Sequence, residues 1–452
     1  ETDQKNKLIN FFDKNLVEYR LSDNIRKINQ LQNADGSWSW WPGMKGNLYV
    51  TVEVAEMLVR LNHMIGTLDA TSSMLSKAYK FMGKGILEEV EELKKQEKKG
   101  VKNLRPSETA VQWLYLCAID GRSLSSDVKR GHDYLIELLA KQTSAFSIYG
   151  KAVSAIIFAK NNRMQKAKEY LKSISEYTVY KEEMGRYFDT PKALYSWFDY
   201  RIPSQVAAIE AIQMVNPSDE KTIRELQRWL LHSKRTQSWS TPINAVNAVY
   251  AFLNGETQQL TMLQAEPTKL AVNGQEIENT KLTAGLGYVI SSMTGGNMKE
   301  FTATKTSEGT SWGAVYAQFM QKVSDVQNAS SGLKVTREVM NAAQPLKVGD
   351  KVRVRITIEA ERDYDFVQVM DKRAACLEPI GQLSGYQWGY YRVHKDHVTN
   401  YYFDRLSKGK HQIESEYYVD RVGTYQTGTC VVQCAYSPEF MAREAGQVLV
   451  VK

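Results

Sequence analysis

The sequence predicts a multidomain chain, helical first and β afterwards, from a change in hydrophobic period. Up to about residue 257 the apolar residues recur at helical spacing, and after about Gln264 the period falls to two. Runs of helices followed by runs of strands argue for separate domains rather than one mixed sheet. The chain has 452 residues, 43% hydrophobic and 24% charged, which is room for about three domains and lies outside collagen-like, mucin-like or wholly disordered compositions.

In the helical part, apolar stripes fall at Val50, Val54, Leu58 and Leu61, then at Val111, Leu114 and Tyr115, and at Tyr134, Leu135, Leu138 and Leu139. Later ones are Val206, Ile209 and Ile212; Ile223, Leu226, Trp229 and Leu230; and Ile243, Val246, Val249, Tyr250 and Leu253. This spacing predicts roughly a dozen short helices. Start signals agree with it. Pro106-Ser107-Glu108, Asn216-Pro217-Ser218-Asp219-Glu220 and Ser240-Thr241-Pro242 each place a capping oxygen or a first-turn proline where backbone NH groups lack partners. The charged run from Lys84 to Lys102 interleaves glutamates with lysines and reads as a solvated helix with pairs such as Glu91 and Lys95, not as a polyanion site.

In the β part, Val352, Val354, Ile356 and Ile358 alternate with Arg353, Arg355 and Thr357, the pattern of a half-buried strand. Further strands are expected at 269–272, 287–291, 366–370, 400–403, 413–419 and 430–436, with turns at Asn273-Gly274, Val348-Gly349-Asp350 and Ser407 to Lys410. The polar stretch from Asp325 to Gly332 reads as a linker between a small β unit and a C-terminal sandwich.

Net charge is +7, from 58 basic against 51 acidic residues, too modest and too interleaved for nucleic acid to be an expected partner. The longest apolar runs, such as Val153 to Ala159, stop short of the roughly 18 residues needed to cross a bilayer, so no membrane insertion is expected. The chain opens at Glu1 with neither an initiator methionine nor a leader, and a fragment of something longer is the expectation. Its four cysteines, Cys117, Cys376, Cys430 and Cys434, have no metal-ligand spacing. Cys430 and Cys434 lie in one expected strand, where four residues span roughly 13 Å, too far for a disulfide between them, although pairing with Cys376 stays open.

Two helical segments share a motif, Leu31-Gln-Asn-Ala-Asp35-Gly36-Ser-Trp38-Ser39 and, more loosely, Gln237-Ser-Trp239-Ser-Thr241. Each combines a helix end, a turn and an indole leading into the next helix. The motif resembles the tryptophan repeat of (α/α)6 toroids. The continuation Trp38-Ser-Trp40-Trp41-Pro42-Gly43, together with Leu270 to Gly274, Leu346 to Asp350, Phe366 to Asp371, Leu377 to Ile380, Tyr436 to Glu439 and Gly446 to Val451, is similar in order to the bacterial alpha-2-macroglobulins. The resemblance covers nearly the whole chain.

It implies an (α/α)6 toroid at 1–258, a small β domain at 265–328 and a C-terminal β-sandwich at 329–452. It further implies the C-terminal part of a broad protease inhibitor of the periplasm or cell envelope, with proteases as targets of the full-length protein, no cofactor and no enzymatic activity. Covalent trapping in that family needs a Cys-x-Glu-Gln thioester, and none stands in this sequence. The lookalike Cys376-Leu377-Glu378-Pro379 ends in proline, which has no side-chain acyl group.

Cyclase or prenyltransferase chemistry on a toroid would need Asp-rich or zinc motifs that are missing here. The closest histidines, His394 and His397, would point to opposite faces of a strand. A glycan hydrolase or lyase could draw on Asp35, Glu108, Asp189 and Glu210, with Trp40, Trp41, Trp113 and Trp197 as sugar platforms, but a turn, a helix start and core packing account for most of these. An alternative to the inhibitor is an envelope scaffold that holds a protein partner, for instance peptidoglycan-synthesis machinery, or a glycan. Trp40, Trp41, Asp35 and Trp239 are its candidate partner-binding residues.

Overall fold

The computed structural model describes residues 14–141, 146–182, 184–189, 201–236, 239, 241–253, 268–277, 299–306, 313, 315–316, 318–340, 345–381 and 383–452. The expected strand at 287–291 and Trp197 lie outside them. Ten helices and eighteen strands are seen among the described residues. The chain divides into two compact units, residues 1–229 with 241–311, and residues 230–240 with 312–452.

The helices are α1 (Lys14–Gln30), α2 (Leu48–Ile65), α3 (Asp69–Lys98), α4 (Glu108–Asp120), α5 (Ser126–Ala140), α6 (Ile148–Lys160), α7 (Met164–Ser175), α8 (Arg201–Val215), α9 (Glu220–Thr236) and α10 (Pro242–Leu253). Local chemistry fixes their starts. Asn47, Ser107 and Ser147 accept hydrogen bonds from backbone NH groups inside α2, α4 and α6, and Asp219 Oδ1 accepts from Thr222 N at the start of α9. Pro242 opens α10, where its missing NH costs nothing. Every second helix meets the next: α2 packs on α4, α4 on α6, α6 on α8 and α8 on α10, while α3 packs on α1, α2 and α5.

Two of the stripes read from the sequence are out of phase. In α2 the buried face is Thr51, Val52, Ala55, Glu56, Leu58, Val59 and Arg60, and of the expected set only Leu58 is fully buried. In α10, Ile243, Val246 and Val249 are exposed, and Asn244, Ala248, Tyr250 and Ala251 face inward. The reason is the same in both. A helix flanked by helices on two sides buries a broad arc, and polar residues enter that arc when neighbouring helices supply partners.

Short strands complete this unit: β1 (Thr178–Lys181) with β2 (Gly185–Phe188), and a three-stranded sheet of β4 (Gln275–Glu276), β3 (Lys269–Val272) and β5 (Phe301–Thr304). Asn273 and Gly274 both take positive φ, as a two-residue hairpin between β3 and β4 demands.

The second unit is an antiparallel sandwich. One sheet runs β10 (Leu377–Pro379), β14 (Gly409–Val419), β8 (Lys351–Ala360) and β7 (Leu333–Met340). The other runs β11 (Gly385–Gln387), β12 (Tyr390–His394), β13 (Val398–Leu406), β9 (Tyr364–Lys372), β16 (Cys430–Cys434), β17 (Ser437–Glu444) and β6 (Ala329–Ser331). A separate ribbon pairs β15 (Gly423–Gln426) with β18 (Val448–Val451). Alternation places Val352, Val354, Ile356 and Ile358 of β8 against Val367 and Val369 of β9, Tyr401 of β13 and Val432 of β16 in one core.

Two further readings need correction. Part of the expected linker, Ala329–Ser331, is an edge strand paired with β17. His394 closes β12 whereas His397 lies in the turn before β13, so strand alternation does not govern the pair.

One buried ion pair ties the sheets. Arg337 of β7 donates from Nη1 to Asp371 Oδ1 of β9 at 2.8 Å, and from Nη2 to Thr427 Oγ1 at 2.7 Å and the Gly428 carbonyl at 2.8 Å. Burial pushes the Asp371 carboxyl up, and Arg337 opposes that shift. Replacing Arg337 with Ala strands a carboxylate in the core, with an expected loss of about 3–5 kcal/mol in urea unfolding of the sandwich. In the helical unit Gly36 has φ +91°, and a Cβ there would lie 2.4 Å from the Lys77 carbonyl oxygen. Gly36→Ala is therefore expected to cost about 1–3 kcal/mol, read as a lower melting midpoint.

Candidate functional site

The first tryptophan repeat is a built corner. Asp35 accepts hydrogen bonds from Ser37 N at 3.0 Å and Ser37 Oγ at 2.6 Å, which closes the turn that Gly36 permits. Those bonds hold the Asp35 carboxyl below its ordinary range. Trp38 is buried, its indole NH donating to the Ile28 carbonyl of α1 at 3.0 Å, while its backbone NH donates to Thr51 Oγ1 of α2. Gln32 Nε2 reaches the Met74 carbonyl of α3 at 2.9 Å. The corner thus joins α1, α2 and α3.

Past it, the backbone turns outward. Trp40 is 47% exposed and Trp41 66%, and Trp40 stacks on Tyr49 with ring centroids 6.0 Å apart. Burial pushes the Tyr49 hydroxyl up to about 12, assisted by the charges of Glu53, Glu56 and Glu108. Glu53, one turn further along α2, is raised to about 8 by burial and by Glu56 beside it.

Deeper still lies a buried polar network. Arg60 Nε donates to Glu56 Oε1 at 2.9 Å, and Arg60 Nη2 donates to Tyr115 OH, also at 2.9 Å. Tyr115 OH in turn donates to Glu210 Oε2 at 2.6 Å. Gln112 Nε2 donates to Glu56 Oε2, and Tyr149 OH donates to Gln112 Oε1 at 2.8 Å. The Arg60 guanidinium sits 4.2 Å above the Tyr250 ring. One cation on α2 therefore gathers groups from α4, α8 and α10, with α6 joined through Tyr149. Burial works against the Arg60 charge, but Tyr115, Glu56 and Glu210 outweigh it and raise its pKa. Burial also raises Glu210, against the pull of Arg60 and the Tyr115 hydrogen bond. Both oxygens of Glu56 are taken by internal donors, the arrangement of a tie between helices.

The residues read as candidates therefore part company. Trp40, Tyr49 and Glu108 share one locality, since Trp40 stacks on Tyr49 and Glu108 acts on the Tyr49 hydroxyl. Glu210 is locked into the Arg60 network, Trp113 is fully buried, Asp35 is spent on its turn, and Asp189 is exposed after β2. Trp239 donates from its indole NH to Ser233 Oγ at 3.2 Å and lies under the Lys234 ammonium. Sequence reasoning missed Glu53, Glu56, Arg60, Gln112, Tyr115 and Tyr250 as a set. The usable signal was Glu56 with Arg60, an opposite-charge i, i+4 pair inside an otherwise apolar helix.

All four cysteines are free and buried, and burial raises every thiol pKa. No group of three or more metal-ligating side chains occurs among the described residues. No helix among them is long and apolar enough to cross a membrane.

Comparison with known proteins bears chiefly on the sandwich. Residues 322–439 match the family described as the bacterial alpha-2-macroglobulin MG10 domain. No curated protein matches the chain in sequence. Among solved structures, the chain is similar to trypsin-activated alpha-2-macroglobulin from Escherichia coli at 12% identity, over 95% of this chain and 29% of that one, with a TM-score of 0.48. It is also similar to Salmonella alpha-2-macroglobulin reacted with methylamine (14% identity, 94% and 27% coverage, TM-score 0.35). A third is native E. coli alpha-2-macroglobulin from domain MG7 to the C-terminus (13% identity, 95% and 67% coverage, TM-score 0.35). The chain thus spans under a third of the length of the first of these relatives. Within this chain, residues 322–439, most of the sandwich, are thus similar to the MG10 domain of the bacterial alpha-2-macroglobulins.

Proposed function

We propose that this chain is the C-terminal part of a bacterial alpha-2-macroglobulin-like protease inhibitor of the cell envelope, acting as a packing and support element rather than as an enzyme. The observation that carries this reading is the MG10 match over residues 322–439, preceded along the chain by a helical unit, as the family order requires. In this reading α2, α4, α6, α8 and α10 form the inner ring of an (α/α)6 toroid at 1–258, and α1, α3, α5, α7 and α9 the outer ring. The alternating contacts support it, as does the Arg60 network, which draws only on the proposed inner helices. A small β domain at 265–328 and the sandwich at 329–452 would follow.

The chemistry of this segment is non-covalent. It holds no Cys-x-Glu-Gln, and its four thiols are buried with raised pKa values, the opposite of an activated cysteine. Glu56 and Glu210 are committed to internal donors, which leaves them unsuited to acid–base work on a bound glycan. A second reading, an envelope scaffold that holds a partner, is favoured by the exposed Trp40 and Trp41 beside the first repeat.

The deciding experiment is mass and shape analysis of the full-length protein after exposure to a protease and, separately, to methylamine. Compaction on cleavage with no covalent adduct is the expected result and supports steric inhibition. A methylamine or protease adduct would place a working thioester elsewhere in the protein and make this part the support of a covalent trap. Neither adduct nor compaction would overturn the inhibitor reading in favour of the scaffold.

A further inference from the structure

We propose that Trp40, Tyr49 and Glu53 form a binding site for a cationic side chain, an alkylammonium or guanidinium group presented by a basic partner. The proposal stands on the geometry at the start of α2 and is independent of the inhibitor reading.

Three features converge there. Trp40 offers an indole that is 47% exposed and held in place by its stack on Tyr49 at 6.0 Å and 27°. An aromatic face carries negative potential and attracts a cation, most strongly when the ring is an indole. Glu53 lies one helical turn from Tyr49 on the same face of α2, and it makes no hydrogen bond among the described residues.

The charge balance has one sign. The charged groups that act on the Tyr49 hydroxyl are Glu53 and Glu56 from α2 and Glu108 from the start of α4, all carboxylates. Arg60 is the cation that acts on Glu53, and it is already held by Glu56 and Tyr115 and lies 3.7 Å from Glu210. A surplus of carboxylate beside an open aromatic face is complementary to a cation with an aliphatic stem. A neutral sugar would gain the stacking but would draw nothing from ionisation of Glu53, whereas a cation does.

This site carries a pH signature. The charges that act on Glu53 are Glu56 and Arg60, both on its own helix; Glu53 and, from α4, Glu108 act on Tyr49, and Tyr115 of α4, Glu210 of α8 and Tyr250 of α10 act on Arg60. Burial and Glu56 hold the Glu53 carboxyl protonated up to about pH 8. A cation favours the ionised form, so binding releases a proton. Affinity then rises with pH, by up to about tenfold per unit, and levels off above about pH 8.

The test titrates the chain with Nα-acetyl-lysine methylamide and, separately, with its uncharged norleucine counterpart, followed by ligand-observed NMR between pH 6 and 9. Saturable binding of the lysine compound alone is expected, strengthening toward pH 8. Trp40→Ala should weaken it by about fivefold or more. Glu53→Gln should both weaken it and abolish the pH dependence, with thermal melting confirming that each variant is folded. Equal binding of the norleucine compound, no saturable binding of either, or folded variants that bind like the parent would each overturn the proposal.

Discussion

The helical unit depends on burying one guanidinium. Arg60 sits almost wholly out of water, and its charge is carried there by pairing and by hydrogen bonds from Nε and Nη2, its Nη1 finding no partner among the described residues. Glu56 supplies the pairing from the same helix. Tyr115, Glu210 and Tyr250 come from helices far apart in the sequence, so meeting the needs of Arg60 fixes where α4, α8 and α10 stand relative to α2. Apolar contacts alone would tolerate small rotations of these helices, because greasy surfaces slide at little cost. A directional network does not, since each displaced donor leaves a buried acceptor exposed to the full desolvation penalty.

The sandwich uses the same device at another place. Arg337 joins β7 of one sheet to Asp371 on β9 of the other, and its second terminal nitrogen collects Thr427 and the Gly428 carbonyl. The surrounding core of Val, Ile and Tyr residues supplies most of the burial and excludes a one-residue slip, but its alternation is unchanged by a slip of two. A buried fork with a single fitting set of acceptors discriminates between registers where the alternation of side chains cannot.

These two ties fit the support role proposed above. The groups with reactive potential, the four thiols and the carboxylates Glu56 and Glu210, are all buried or engaged. What faces outward near the first repeat is different, the indoles of Trp40 and Trp41, with a half-buried Glu53 one turn from Tyr49. In the proposed reading, such a surface serves recognition, set by charge and ring faces.

The sequence by itself determined the change from helices to strands near residue 260, the caps at Ser107 and Asp219, the Asp35-Gly36 turn, the buried Trp38 and the alternating core of β8. Each is a local matter, decided by period, capping oxygens or the φ of one glycine. The pattern around the MG10 region was legible for the same reason, as an ordered series of short local motifs. Tertiary structure decided what depends on partners distant in the chain. The faces of α2 and α10 were misread because an apolar count assumes that polar residues point to water, whereas Thr51, Glu56, Arg60 and Asn244 are buried. The edge strand Ala329–Ser331 looked like a linker because its strand character comes from pairing with β17 and not from its own residues. Glu53 gave no signal in the sequence, since the field at a side chain is the sum of neighbours, here Glu56 and Arg60, that the sequence does not place.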